Sequence, residues 1–160
     1  MNLTQSDLKN RLSYDPNTGL FLWKYSPGGK AKTGSVAGSK KHGYVLITVR
    51  QRKYSAHRLA WLYMNGSFPN GEIDHIDGIR DNNAIINLRD VTRSVNTQNI
   101  KSNKKGNKLG LLGVNSHGRN FKAQIQANGK KIHIGCFKTA IDAHNAYLKA
   151  KRELHQGNTL

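Results

Sequence analysis

The sequence predicts an α+β protein, and two patterns carry that expectation. Between Asn120 and Ile134, apolar Phe121, Ala123, Ile125, Ile132 and Ile134 alternate with polar Lys122, Gln124, Gln126, Lys131 and His133, which is the two-residue period of half-buried strands. Asn128-Gly129 lies between the two runs and is a residue pair that tight hairpin turns prefer. From Thr139 to Glu153 the period changes, with Ala140, Ala143, Ala146, Tyr147 and Ala150 recurring at helical spacing. The expectation is a small sheet covered on one side by a helix, its polar and basic side left open.

Upstream, short helices and strands follow one another. Thr4 to Leu12 suits a helix with Leu3, Leu8 and Leu12 roughly on one side, and Asp15-Pro16-Asn17-Thr18-Gly19 is a turn into a strand from Leu20 to Trp23. Gly28 to Lys41 reads as a Gly/Lys-rich loop. Tyr44 to Val49 and Lys53 to Ala56 read as a hairpin around Arg50-Gln51-Arg52, followed by a helix from His57 to Asn65 that Gly66 closes. After the turn Pro69-Asn70-Gly71 come a short strand from Glu72 to Ile76, a polar loop from Asp77 to Asn83, and an extended piece around Asn87-Leu88-Arg89. A helix near Thr92 to Asn99 ends the series, with Thr92 as its N-cap.

The 160 residues carry 26 Lys plus Arg against 9 Asp plus Glu, a net charge of +17, of which +7 lies on residues 1–100 and +10 on residues 101–160. Charge of this size favours a polyanion through release of its counterions, and nucleic acid is the leading partner class. The stretch from Ile100 to Gly110 holds four lysines and almost nothing to bury, so it reads as a basic linker, residues 101–109, between a region 1–100 and a region 110–160. Lys104 and Lys105 are its candidate phosphate contacts.

No apolar run approaches the length of a bilayer span, and the N-terminus lacks the basic and apolar regions of a signal peptide. A cytoplasmic, non-secreted protein with no membrane partner is the expectation. The single Cys136 excludes an internal disulfide and the paired cysteines of a zinc ribbon, and reads as a small packed residue.

One constellation has the residue types for phosphodiester hydrolysis. Asp74-His75 closes a strand, Asn87 follows twelve residues after His75, and Asn96 lies on the next helix. The reaction needs a base for water, a divalent cation and hard oxygen ligands that leave the cation open to phosphate. His75 suits the base, and Asp74 and the Asn96 amide oxygen suit the ligands. Neighbouring strand residues point to opposite faces, so Asp74 and His75 share a site only if the strand end twists or the metal sits at its edge. Taken singly, the Asp and Asn residues also fit ordinary turn chemistry. His57 and Arg58, at a helix start, either touch phosphate or support the helix.

Ile73-Asp74-His75-Ile76-Asp77-Gly78, Asp81-Asn82-Asn83, Asn87-Leu88-Arg89, Val91-Thr92 and Asn96-Thr97-Gln98-Asn99 resemble the HNH endonucleases of the ββα-metal class, closest to the phage homing and nicking branch, whose last motif position is Asn. Tyr14-Asp15-Pro16, Gly34-Ser35-Val36-Ala37-Gly38, Gly43-Tyr44 and Ala56-His57-Arg58-Leu59-Ala60-Trp61 extend the resemblance to roughly residues 4–100, with a ββα core at about 69–99. The resemblance implies that Asp74 and Asn96 bind one Mg²⁺ or Mn²⁺ and that His75 deprotonates the attacking water. It also implies that Asn87 holds the imidazole through its other nitrogen or the adjoining backbone. Many HNH enzymes have His where this chain has Asn96, a neutral and weaker ligand.

Gly113-Val114, Phe121 to Ile125, Lys131 to Phe137, Thr139-Ala140 and Asp142 to Tyr147 are similar to the APETALA/ethylene-response-factor DNA-binding domain, over about residues 109–155. That family lays a three-stranded antiparallel sheet into the major groove with its helix behind. By this resemblance Asn115, His117, Gln124, Gln126, Lys131 and His133 face DNA, with Arg119 and Lys122 nearby. The family's Arg and Trp readers are mostly replaced here, which shifts or relaxes base preference. Together the two resemblances imply a phage-encoded DNA endonuclease of the homing type, acting on double-stranded DNA as a monomer or weak dimer. The same modules would also serve a non-catalytic, sequence-specific DNA-binding protein or transcription factor.

Overall fold

The computed structural model describes residues 3–29, 31–99, 107, 109–155 and 157–158. The chain divides into two compact units, Met1–Arg93 and Ser94–Leu160, and the fold is α+β as expected.

The first unit opens with helix α1 (Gln5–Arg11), where Thr4 and Asp7 form a reciprocal capping box. Such a cap contributes about 1 kcal/mol. Strands β1 (Leu12–Tyr14) and β2 (Phe21–Trp23) pair antiparallel across the Asp15–Gly19 turn. The sequence predicted only the second strand, because β1 continues directly from α1 and its three residues show no usable period.

Strands β3 (Ser39–Lys41), β4 (Tyr44–Val49) and β5 (Arg52–Ser55) form an antiparallel sheet in that order. The expected loop from Gly28 to Lys41 is therefore wrong at its end. All three β3 residues are exposed, so the strand is made by backbone pairing with β4 and leaves no apolar alternation to read. The β4–β5 turn places both Arg50 (φ 50) and Gln51 (φ 63) in the left-handed region, as a two-residue hairpin of this hand requires.

Helix α2 (Ala56–Asn65) ends at Gly66, whose φ of 83 is left-handed. Strands β6 (Glu72–His75) and β7 (Leu88–Val91) pair antiparallel, Asp74 opposite Arg89 and His75 opposite Leu88. A single 3₁₀ turn, Ile85–Asn87, precedes β7. Leu8, Leu12, Phe21, Ile47, Leu59 and Leu62 are the centre of a core that reaches Ile73 of β6 and Leu88 of β7, and the 3₁₀ turn before β7 packs on α2. Each such side chain contributes roughly 1.5–3 kcal/mol by leaving water.

The second unit contains most of helix α3 (Arg93–Gln98) and strands β8 (Val114–His117), β9 (Asn120–Ala127) and β10 (Lys130–Phe137), in the sheet order β10-β9-β8. Asn128 (φ 51) and Gly129 (φ 75) make the expected tight turn. Helix α4 (Ala140–Leu154), capped by Thr139, packs on this sheet, and Ala143 and Tyr147 meet Val114, Ala123 and Ile125 in a separate core. Gly113 is required here, since a Cβ on it would fall 1.9 Å from the Tyr147 ring. Lys151 is buried one helical turn beyond Tyr147, which the sequence pattern did not suggest.

Two readings near the linker fall differently. The Gly157 N–H donates to Gln98 Oε1 at 3.0 Å, which joins α3 to the C-terminal segment. Asn107, counted in the linker, is part of the second unit, its Nδ2 donating to the Leu111 carbonyl at 2.7 Å. Lys104 and Lys105 lie outside the described residues. Among the described residues no helix is long and apolar enough to cross a membrane.

Candidate active site and nucleic-acid interface

In the first unit the chemistry gathers at the end of β6. Gly71 precedes the strand in a tight place, where an added Cβ would lie 2.3 Å from the Val91 carbonyl oxygen. The N–H groups of Asn70 and Gly71 donate to the Asp90 carboxylate at 2.9 and 2.8 Å, which fixes the register of β6 on β7. That register sets Asp74 against Arg89, whose Nε and Nη2 both donate to Asp74 Oδ2 at 2.8 and 2.6 Å. Asp74 and His75 are 5% and 6% exposed, so neither is an ordinary solvated strand-end residue.

His75 has different neighbours from Asp74, as strand alternation requires. Its ring stands edge-on to His57, centroids 5.1 Å apart at 88°, and 6.2 Å from the Tyr44 ring. Its Nε2 lies 3.3 Å from Asn83 Oδ1. The Asn83 amide nitrogen donates to the Asp81 carbonyl at 3.1 Å, which fixes which end of the amide faces the imidazole. An amide oxygen only accepts, so Nε2 carries the hydrogen and the neutral ring has its lone pair on Nδ1.

Asn83 is itself held from the N-terminal turn. Tyr14 Oη donates to the Asn83 carbonyl at 2.7 Å, and Gly19 lies so close that an added Cβ would come 2.3 Å from the Asn83 carbonyl carbon. Burial, with the Asp15 charge beside it, pushes the Tyr14 pKa up to about 12, so this phenol stays a donor at any working pH. The turn at residues 15–19, far upstream in sequence, is thus a support for the histidine.

Asn87 acts mainly on the loop. Its Oδ1 accepts from Asp77 N–H at 3.0 Å, and its Nδ2 donates to Asp77 Oδ1 and the Asn82 carbonyl at 3.0 and 2.9 Å. Its carbonyl accepts from Ile76 N–H at 2.9 Å, so Asn87 holds the backbone that leaves His75. At Asp77, burial works to raise the pKa. Hydrogen bonds from Ile79, Asn82 and Asn87, with the His75 charge, outweigh it and leave the group lowered.

His57 is the third member of the aromatic cluster, 5.5 Å from Tyr44. Burial, followed by the charges of His75 and Arg58, lowers its pKa to about 4, so it is neutral at physiological pH. Its Nδ1 is buried and has no hydrogen-bond partner among the described residues. Arg58 turns the other way, over the Phe68 ring with its centroid 5.8 Å off, and Nη1 reaches the Gly71 carbonyl at 3.4 Å.

Residues 54–98 match the family model described as HNH endonuclease. This HNH segment includes His57, Asp74, His75, Asn83, Asn87, Arg89 and Asn96, and the match supports a nuclease acting on DNA. No curated protein and no solved structure matches the chain.

The divalent cation that HNH nucleases generally use needs hard oxygen donors. Asp74 supplies a buried carboxylate whose Oδ2 already carries the Arg89 fork, and Asn96 lies on α3 in the second unit. Among the described residues no three His, Cys, Asp or Glu side chains gather at cation distance. One carboxylate with an amide oxygen suits Mg²⁺ or Mn²⁺, which keep waters and take phosphate oxygens as further ligands. The donor types of these two residues, a carboxylate and an amide oxygen, therefore fit such a cation.

In the second unit, the register puts the expected DNA-facing residues on one side of the sheet. Asn115 pairs with Lys122, Gln124 with His133 and Gln126 with Lys131, and His117 lies across from Asn120. Lys122, Gln124 and Gln126 alternate with Ala123 and Ile125, which face α4. Arg119 is in the β8–β9 turn. Exposed Cys136 shares this open side, opposite Lys122, and is not the packed residue the sequence suggested.

Reading the sequence missed Asn83, Tyr44 and Arg89 as neighbours of the candidate chemistry. Arg89 had a signal, because counting back along an antiparallel β6–β7 pair puts it opposite Asp74. Tyr44 and Tyr14 had none, since both arrive by tertiary packing.

Proposed function

We propose that the chain is a metal-dependent HNH DNA endonuclease, phage-encoded and of the homing or nicking kind, whose second unit holds duplex DNA. Its place of action is then the host cytoplasm. The observation that carries the reading is a buried His75 inside the HNH segment with Nε2 tied to an acceptor-only oxygen.

In this mechanism Nδ1 of His75 takes a proton from water. The resulting hydroxide attacks phosphorus, and the bond to the 3′ oxygen breaks, the departing oxygen taking a proton from a solvent water. Asn83 and Asn87 keep the imidazole and its backbone in place, and neutral His57 with Tyr44 packs against the ring and holds its orientation. Asp74 and Asn96 are the residues that would hold Mg²⁺ or Mn²⁺. A bound cation would stabilise the charge that builds on phosphate and on the departing oxygen.

The sheet side with Asn115, His117, Lys122, Gln124, Gln126, Lys131 and His133, together with Arg119, suits the major groove, where amides pair with adenine and basic groups with guanine or phosphate. Lys104 and Lys105 add sequence-independent phosphate contacts. With one His75 per chain, a monomer nicks one strand and a weak dimer makes a double-strand break.

Covalently closed plasmid tests the reading. Relaxed circles are expected with Mg²⁺ or Mn²⁺ and not with EDTA, and metal-independent relaxation or none at all would contradict it.

A further inference from the structure

Lys41 on hairpin β3–β4 and Arg80 in the loop after His75 are exposed positive charges. The acids of that loop are already engaged. Asp81 forms an ion pair with Lys40, and Asp77 accepts from Ile79 N–H, Asn82 and Asn87. Arg80 pairs with no carboxylate among the described residues.

Its guanidinium lies 5.1 Å from the Tyr44 ring centroid, and Nη1 donates to the His42 carbonyl at 3.2 Å. The stem rests on Gly43, where an added Cβ would come 3.3 Å from Arg80 Cδ at a φ of +84. The same Tyr44 ring contacts His57 and His75. One ring thus has the candidate base and an exposed, fixed guanidinium as neighbours.

We propose that Arg80, held on Tyr44, binds a phosphate of the DNA strand being cut, beside the scissile one. The proposal rests on the endonuclease reading. A guanidinium has five donors, and Arg80 uses one of them on protein among the described residues. Its planar fork suits phosphate oxygens and loses little solvation on binding. Anchoring at His42 and Tyr44 means little side-chain freedom is left to lose when DNA arrives. Exposed Lys41, next on β3, continues the charge along the strand's path.

The test uses the full chain, with Arg80→Gln and Arg80→Lys. Duplex affinity is measured in EDTA over a salt series, and nicking is measured as kcat and KM separately. Arg80→Gln is expected to lower the slope of log affinity against log salt by about one, as loss of a single phosphate contact does. KM should rise about tenfold while kcat at saturating DNA stays within about twofold. Arg80→Lys should keep the salt slope, since it keeps the charge, and raise KM about threefold through loss of the fork.

A wild-type slope and KM in both variants would overturn the proposal, as would a loss confined to kcat. If Arg80→Gln fails to fold by circular dichroism, Arg80→Lys decides alone through its KM. A wild type that binds but never nicks would sink the endonuclease reading, while the salt slope would still show whether Arg80 holds phosphate.

Discussion

Asn83 Oδ1 lies 3.3 Å from His75 Nε2, and its partner atom Nδ2 is committed to the Asp81 carbonyl. The amide therefore dictates the tautomer. Nitrogen NMR of His75 should show the Nε2–H form with the lone pair on Nδ1. Asn83→Leu should mix the tautomers and lower kcat about 10- to 100-fold with KM little changed, the usual range for a group that orients an active residue. An unaltered kcat in that variant would remove Asn83 from the account.

Gly19 supports Asn83 through the closest glycine contact in the first unit other than Gly71, and its φ of 72 disfavours any side chain. Gly19→Ala should cost about 2 kcal/mol or more in stability, read from the urea midpoint. At temperatures where it is folded, it should also nick more slowly than wild type. Wild-type stability would mean that the turn does not support the loop.

His57 makes stability depend on pH. Its pKa is about 4 in the fold against an ordinary 6.5, so between those values the unfolded chain binds more protons. Its contribution is complete above pH 6.5, weakens as pH falls, and is lost as pH passes about 4. At pH 5 the loss is about 2 kcal/mol relative to pH 7.5. Urea midpoints at pH 7.5 and 5 should fall by that amount in wild type and by much less in His57→Gln. Parallel losses in the two proteins would show that His57 does not set this dependence.

Arg89 and Asp74 form an ion pair at the site in which the carboxylate is buried and the guanidinium half-buried, side chains 6% and 27% exposed. Arg89→Leu leaves a buried carboxylate without its fork and should cost about 3 kcal/mol. Asp74→Asn combined with Arg89→Leu should recover part of that loss. A double-mutant cycle with no coupling would contradict the pairing.

Much of this was legible in the sequence where chemistry is local. The alternation from Asn120 onward, the Asn128-Gly129 turn and the closing Gly66 each act through neighbouring residues, and each forms as read. The Asp74-His75 pair was visible for the same reason, as a short motif at a strand end. Elements made by distant pairing were not. β3 exists only because β4 offers its edge, and β1 only because β2 returns beside it. Asn83 looked like a turn residue, which it is. Its second role depends on Tyr14 and Gly19, more than sixty residues earlier in the chain.

Single-turnover nicking of saturating duplex DNA by wild type and His75→Ala, both folded and both shown to bind, bears most directly on the role of His75. With Mg²⁺ or Mn²⁺ present, loss of a general base should slow the variant by roughly 10²- to 10⁴-fold at unchanged DNA affinity. Equal rates for the two proteins would contradict the assignment of His75 as the base.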